Sequence, residues 1–452
     1  MSVVLPKLYN FLPRFSRLAS VSMLSNMMIP LAGLVDTAFL GHLADIRHLA
    51  GVILATILFD YLYRVLKFMR SSTNALTAQA VGSDEPKAVL LAGLRSALIA
   101  LTVGLVILLL QYPIQKFGFL MLNGSPEIET SGIDYFYGRI WGAPAVLLNF
   151  VLFGWFLGRE MNSWVLLMSI VGNGSNVLLD YLMIFKWGWE SMGAGLATAL
   201  SQYLALGVGL LGVGLSIQWQ VLPTALQEIF DWVALKNTMA LKSNIFIRFL
   251  ALISAYAIFT NLSASMGKTV LAENGLMLQI ALLSQFTIQG VGVTTQTLIA
   301  NFKGKGNQQQ MMPLLFVSMV TAIAIAVTFA LVSMIFPDQV FGLLTNHSEV
   351  NTNINQYTIW LLPVLVITAI AFILEGYFIG LKESVILRNA VLLAFFVGFS
   401  PLAIAAWYFH NNHLLWSTLV SYMTTLMVVL AIQIPQTLNT QNLENQKSLT
   451  HS

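Results

Sequence analysis

The sequence predicts an all-α polytopic membrane protein, with twelve transmembrane helices in two pseudo-symmetric six-helix lobes. Three observations predict it. The 452 residues are 57% hydrophobic and only 9% charged, too apolar for a water-soluble globule to bury. Stretches without Asp, Glu, Lys or Arg recur at 18–35, 96–115, 161–179, 249–267, 274–302, 306–337, 350–374 and 389–443. Each meets or approaches the roughly 20 residues that a helix needs to cross the hydrocarbon core. The third observation is an internal repeat, in which two separate regions align at one offset of 222 residues.

Taken in order, the crossings centre near residues 28, 60, 100, 145, 172, 204, 256, 285, 323, 363, 397 and 424. Helices are the fitting form, because lipid offers the backbone no hydrogen-bond partner. The last long run holds two crossings, split by the polar step His410-Asn411-Asn412-His413. The first run is too long for a signal-peptide core and belongs to the mature structure. Placing both termini in the cytoplasm gathers Lys7, Arg14, Arg17, Arg70, Lys87, Arg159, Lys236, Lys242, Lys303, Lys305, Lys382, Arg388 and Lys447 on the inner side. Only Arg47, Lys116, Lys186 and Lys268 remain outside, an asymmetry that sets the orientation by the positive-inside rule. The net charge of +3 reflects this topology, and no nucleic-acid partner follows from it. Zero cysteines exclude disulfides and thiolate metal sites.

The repeat divides the chain. Leu49, Ala50, Thr73, Ala78 and Gly82 align with Leu271, Ala272, Thr295, Ala300 and Gly304, and FVLFGWFLG from Phe150 aligns with FILEGYFIG from Phe372. A gap-free offset recurring a hundred residues apart points to duplication. Six crossings per half make the repeat parallel, a transporter design with the substrate site between the halves. The expected division is an amino-terminal lobe at 1–216, a linker at 217–243, a carboxy-terminal lobe at 244–434 and a polar, disordered cytoplasmic tail at 435–452.

An ionisable group at bilayer depth costs at least about 2.5–3.5 kcal/mol to insert, so each needs a partner or a purpose. Asp36 ends the first charge-free run, with Pro30 and Gly33 just before it. It reads either as a functional acid or as a cap near the outer headgroups. On the fifth crossing Asn173, Asn176 and Asp180 are spaced by three and four residues, which stacks them on one helical face. That stripe reads as a site or as helix–helix glue. Thr198 lies in GAGLATALSQ, where small residues permit close helix approach. Asp60 and Arg64, four apart, neutralise each other, and Arg64, Lys67 and Arg70 form a snorkelling face. Arg139, in YFYGRIWGAP, meets a carboxylate or anchors an interface. Glu375 stands where the first half has Phe153, so this acid is specific to the second half. The six histidines are read as loop or tail residues. No metal-ligand spacing and no P-loop occur, so neither a metal site nor ATP hydrolysis is expected.

PLAGLVDTAFLGHL at Pro30–Leu43 resembles the first-helix signature of the multidrug and toxic compound extrusion (MATE) family, in its DinF-type branch. Further similar segments follow in order: FMRSSTNALTAQAVG (68–82), YFYGRIWGAPAVLL (135–148), NVLLD (176–180), GAGLATALSQ, NIFIRF (244–249) and FILEGYFIG…LRNA. The resemblance implies cation-driven efflux through a cavity between two lobes. It places the coupling carboxylate on Asp36 and its partners on Asn176, Asp180 and Thr198. This sequence departs from the pattern in having Val21 for a first-helix proline, Gln289 and Gln296 where the branch often carries acids, and Glu375 for the usual Asp.

The functional expectation is a secondary antiporter of the bacterial inner membrane, monomeric, exporting amphipathic organic compounds in exchange for protons. Asp36, Asn176, Asp180 and Thr198 would couple the ion, and Asn173, Gln289, Glu375 and Arg139 would line the substrate cavity. Burial favours the neutral form of a carboxylate and a neighbouring acid favours it further, which suits a proton switch. Sodium coupling through the same oxygens is the alternative ion, and a flippase for lipid-linked substrates the alternative function. No cofactor beyond the coupling ion is expected, and no enzymatic cluster is present.

Overall fold

The computed structural model describes the backbone of residues 9–41, 46–122, 126–342 and 354–450, and the side chains of 9–28, 47–120, 126–342 and 354–437. The described backbone is helical almost throughout, because helices satisfy every peptide group within one segment. In the first half these are α1 (Leu12–Gly41), α2 (Ile46–Leu66), α3 (Phe68–Gly82), α4 (Pro86–Leu109), α5 (Gln111–Leu122), α6 (Pro126–Ile140), α7 (Ala143–Gly158), α8 (Asn162–Asp180) and α9 (Glu190–Ser216). The second half has α11 (Trp232–Ser265), α12 (Lys268–Gly304), α13 (Met311–Ile335), α14 (Pro337–Gly342), α15 (Leu361–Gly380), α16 (Ser384–Leu393), α17 (Ser400–Phe409) and α18 (Asn412–Thr450). Between them α10 (Leu222–Glu228) occupies the linker. Among the described residues ten helices are long and apolar enough to span a membrane, or eleven when α6 and α7, bent by 53°, count as one. By length the 30 residues of α1 supply the twelfth.

The chain forms two compact units. One is Met27–Lys242, and the other is Ser243–Ser452 together with Met1–Asn26. The start of α1 thus belongs to the second-half unit, where Asn26 Nδ2 donates to the Phe286 carbonyl (3.4 Å) and Arg14 Nη2 to Asn301 Oδ1 (2.8 Å). The start of α11 belongs to the first-half unit, where Lys242 Nζ donates to Ser72 Oγ at 2.8 Å.

Each unit repeats the other's internal geometry. Helices end at Gly82 and Gly304 and at Gly158 and Gly380, and begin at Asn162 and Ser384 and at Glu190 and Asn412. All four pairs keep the 222-residue offset. The backbone turns left-handed at paired positions too: Asp84 and Gly306 (φ 56° and 67°), Glu160 and Lys382 (57° and 64°), Gly188 and His410 (67° and 48°). The α3–α7 contact reappears as α12–α15. A Cβ at Gly154 would run into the Arg70 carbonyl, and one at Gly376 into the Gly292 carbonyl. One at Gly158 would lie 2.7 Å from Thr77 Cβ, and one at Gly380 3.1 Å from Ile299 Cβ. Small residues allow these backbones to touch.

The linker is ordered against α4. Ala225 packs on Leu90 and Leu91, Lys87 pairs with Glu228 at 2.6 Å, and Arg95 Nη2 donates to the Glu228 carbonyl at 2.7 Å. Asp231 Oδ1 then accepts the amides of Val233 and Ala234 (2.9 and 3.2 Å), capping α11.

Four sequence expectations are corrected. Arg70 does not snorkel; it is buried over the Phe153 ring at 5.5 Å. The helix breaks at Lys67, where the Arg70 amide bonds the Lys67 carbonyl three residues back, and this tighter turn rotates Arg70 off the Arg64 face. Arg64 itself pairs with Asp60 at 3.0 Å, as expected. His48 is not in a loop, because α2 begins at Ile46 and the close approach of Gly51 to Gly132 buries it against α6. Lys242 is not an inner-loop residue but lies buried within α11. The tail is helical to Thr450, through Pro435; its Gln, Leu, Glu and Lys residues are good helix formers and no Gly interrupts them.

Candidate coupling and substrate site

In the first-half unit α8 brings its polar stripe to the interior. Asn176 Nδ2 donates to Asp180 Oδ2 at 3.0 Å, and both side chains are buried. Asn173, one turn earlier and half-buried, donates instead to the Ser169 carbonyl at 2.7 Å. Directly after Asp180 the backbone widens into a π-helical turn, Tyr181–Lys186, the kind of irregularity that often marks functional sites. Packed against α8 is α9, where half-buried Thr198 donates to its own Ala194 carbonyl at 2.9 Å. The small residues around it do permit close approach, since a Cβ at Gly138 on α6 would lie 2.7 Å from the Met192 carbonyl of α9. Asp36 lies on the helical backbone of α1, and its side chain is outside the described residues.

Arg139 lies in the last turn of α6 within an aromatic nest. Its guanidinium sits 4.6 Å from the Phe59 ring centre and 6.0 Å from that of Tyr63, and Nη1 donates to Tyr135 Oη at 2.8 Å. Ring faces attract such a cation.

The two remaining predicted cavity residues lie in the second-half unit. Gln289 is half-buried on α12. Glu375, on α15, is buried and paired with Arg248 of α11, whose Nε lies 2.7 Å from Oε1 while Nη2 meets Oε2. Nearby, Tyr256 Oη accepts a hydrogen bond from Gln285. The structure therefore brings Asn176 to Asp180, but it distributes Arg139, Gln289 and Glu375 over two units.

Two further residues belong to buried polar clusters that the sequence pattern does not single out. Arg248 lies in NIFIRF, and a cation inside a membrane helix is the signal that calls for a buried partner. His48, expected in a loop, is buried on α2. Its Nδ1 lies 2.9 Å from Ser191 Oγ and 3.1 Å from Ser131 Oγ, the two hydroxyls are 2.6 Å apart, and Nε2 is 3.1 Å from Glu190 Oε2. This knot ties α2, α6 and α9 together at one end of the unit.

Outside the spans, Arg159 joins the α7–α8 turn to the end of α9. It donates to Ser216 Oγ and the Ser216 carbonyl (2.8 and 2.9 Å) and stacks on Trp155 at 4.2 Å. Its burial pushes the guanidinium below its usual range.

Two helical units of repeated geometry, with carboxylates buried inside the spans, define an integral membrane protein of transporter design. The MatE family profile matches residues 22–182 and again 245–405, and the chain belongs to that family. It is 29% identical over 412 residues to DNA damage-inducible protein F of Escherichia coli, covering 90% of this chain and 88% of the relative. It is 24% identical to the probable multidrug resistance protein NorM of Thermotoga maritima, covering 74% and 72%. Among solved structures, an outward-facing multidrug resistance MATE family transporter of the MOP superfamily shares the fold, with a TM-score of 0.83 at 19% identity over 94% of this chain and 95% of that one. A MOP superfamily transporter from Pyrococcus furiosus does so with a TM-score of 0.81, also at 19% identity and over the same shares.

Proposed function

We propose that this protein is a monomeric antiporter of the bacterial inner membrane, with both termini cytoplasmic, that exports amphipathic cationic or neutral organic compounds in exchange for protons. Efflux is supported by the family and by the relatives named for multidrug resistance. The observation that carries the coupling is the buried, hydrogen-bonded Asn176–Asp180 pair ahead of the π-turn. An ionisable acid inside a span is costly to keep charged, so Asp180 gains from holding a proton, and the Asn176 amide stabilises the carboxylate when the proton leaves. Asp36 is the second acid of this switch.

Alternating access then follows from a difference in affinity. Protonation favours one orientation and substrate the other, so each drives the other's release. The test is counterflow of a labelled-compound panel in proteoliposomes, under a proton gradient and a sodium gradient in separate arms. Transport driven by the proton gradient in sodium-free buffer is expected. A strict sodium requirement would reassign the same oxygens to a sodium site, and transport of lipid-linked substrates alone would favour a flippase.

A further inference from the structure

Glu375 lies five residues before the end of α15, about 7.5 Å along the helix. A carboxylate buried there requires a positive counter-charge, either an exchangeable ion or one built into the protein. Arg248 supplies the second kind. It meets both carboxylate oxygens in a bidentate pair, the strongest geometry available to these groups, and the two side chains are only 8% and 4% exposed. The ring centres of Phe249 and Phe372 stand 4.4 and 5.6 Å from the guanidinium, and ring faces attract such a cation. At the repeat position Phe153 offers an aromatic face, over which Arg70 lies. The second half therefore has the acid together with its own cation, Arg248 of α11, whose position in the first-half repeat is the neutral Asn26 of α1.

We propose that Arg248 is the resident counter-cation of Glu375, standing where an exchangeable proton or sodium ion would otherwise bind, so that cation exchange is closed at this point of the second-half unit. The assignment rests on the proposed cation exchange only in that the excluded ion is the coupling ion. A guanidinium keeps its charge under all physiological conditions, so this counter-charge neither leaves nor titrates. Among the described residues, the other titratable group facing the pair is the hydroxyl of Tyr422 on α18, with that of Tyr256 on α11 beside Tyr422. From α12 comes Gln285, bonded to Tyr256. Glu273, the buried acid of α12, sits nineteen residues before Gly292, which packs beside Gly376. That is about 28 Å along the helix and out of reach. If Arg248 lost its charge, Glu375 and the Tyr422 hydroxyl, which has no hydrogen-bond partner among the described residues, would form a new oxygen site for a small cation.

The experiment measures cation uptake by purified full-length protein in nanodiscs. Proton uptake is followed with an indicator dye after a pH jump, and sodium binding with the radioactive ion. The proteins are wild type, Glu375→Gln, Arg248→Gln, Arg248→Gln/Glu375→Gln and Asp180→Asn. Arg248→Gln should take up one more cation per chain than wild type, the double variant should lose that gain, and Glu375→Gln should match wild type. Lower uptake in Glu375→Gln than in wild type would overturn the assignment. So would the absence of a gain in an Arg248→Gln protein that is monodisperse and binds substrate. Should either single variant fail to assemble, the double variant, which leaves no buried charge unpaired, decides: uptake equal to wild type supports the assignment and lower uptake overturns it. Asp180→Asn is the separate control, because undiminished uptake there would reject the proposed coupling site while the Glu375 series still judged Arg248.

Discussion

Asp84 and Gly306 occupy the same left-handed turn in the two units, with φ of 56° and 67°. Each follows a helix that ends at a glycine, Gly82 or Gly304. The turn is therefore set by the repeated fold and not by the residue that occupies it. A left-handed conformation costs an L residue about 1–2 kcal/mol that glycine avoids. Asp84→Gly should accordingly raise the thermal midpoint of the purified protein. Gly188→Ala should lower it by backbone strain alone, since the added Cβ meets no described residue within 4 Å. A lower midpoint for Asp84→Gly would mean that its side chain contributes more than the turn costs.

The buried Arg248–Glu375 pair should be costly to break and cheap to replace whole. Glu375→Gln leaves an uncompensated guanidinium and should destabilise by about 3–5 kcal/mol, whereas replacing both partners recovers most of the loss. A double-mutant cycle on thermal unfolding in detergent measures this. Additive single effects would show that the two charges do not depend on each other.

Coupling should depend on the first-half acids. Asp180→Asn mimics the protonated acid, so it should abolish gradient-driven export while leaving substrate binding largely intact, and Asp36→Asn should do the same. The double variant should be no worse than either, as expected of residues acting as one unit. Substrate-induced proton release is the readout, and full release from Asp180→Asn would exclude it as the carrier.

Orientation can be read with single cysteines, because the chain has none of its own. A cysteine at Lys236, exposed at the start of α11, should react with an impermeant thiol reagent only after the cytoplasmic side is opened. Positions near Asn123 and His347, which lie outside the described residues, should react in intact cells. Lys242 is unsuitable for this purpose because it is buried and bonded to Ser72. Labelling of the Lys236 site from outside would invert the topology.

The His48 knot should contribute to stability. His48→Ala removes the partner of two buried serines and should cost about 1–3 kcal/mol. Ser191→Ala, which leaves His48 bonded to Ser131, should cost less. Equal midpoints for both variants and wild type would show that the knot is dispensable.

Much of the fold was legible in the sequence. Charge-free runs fix helices wherever lipid replaces water, and the 222-residue offset places their ends and turns, down to Gly158 with Gly380 and Glu160 with Lys382. The three- and four-residue spacing of Asn173, Asn176 and Asp180 likewise determines that they share a face, because that is a property of one helix. Contacts between helices were decided only by the tertiary structure. Arg248 meets Glu375 across 127 residues of sequence, and Ser191 meets His48 across 143. Arg70 turned inward because of a single tight turn at Lys67. Periodicity says which way a side chain points from its own helix axis, but its partner depends on how helices rotate and pack. Small residues such as Gly51, Gly132 and Gly154 set that packing by letting particular backbones touch.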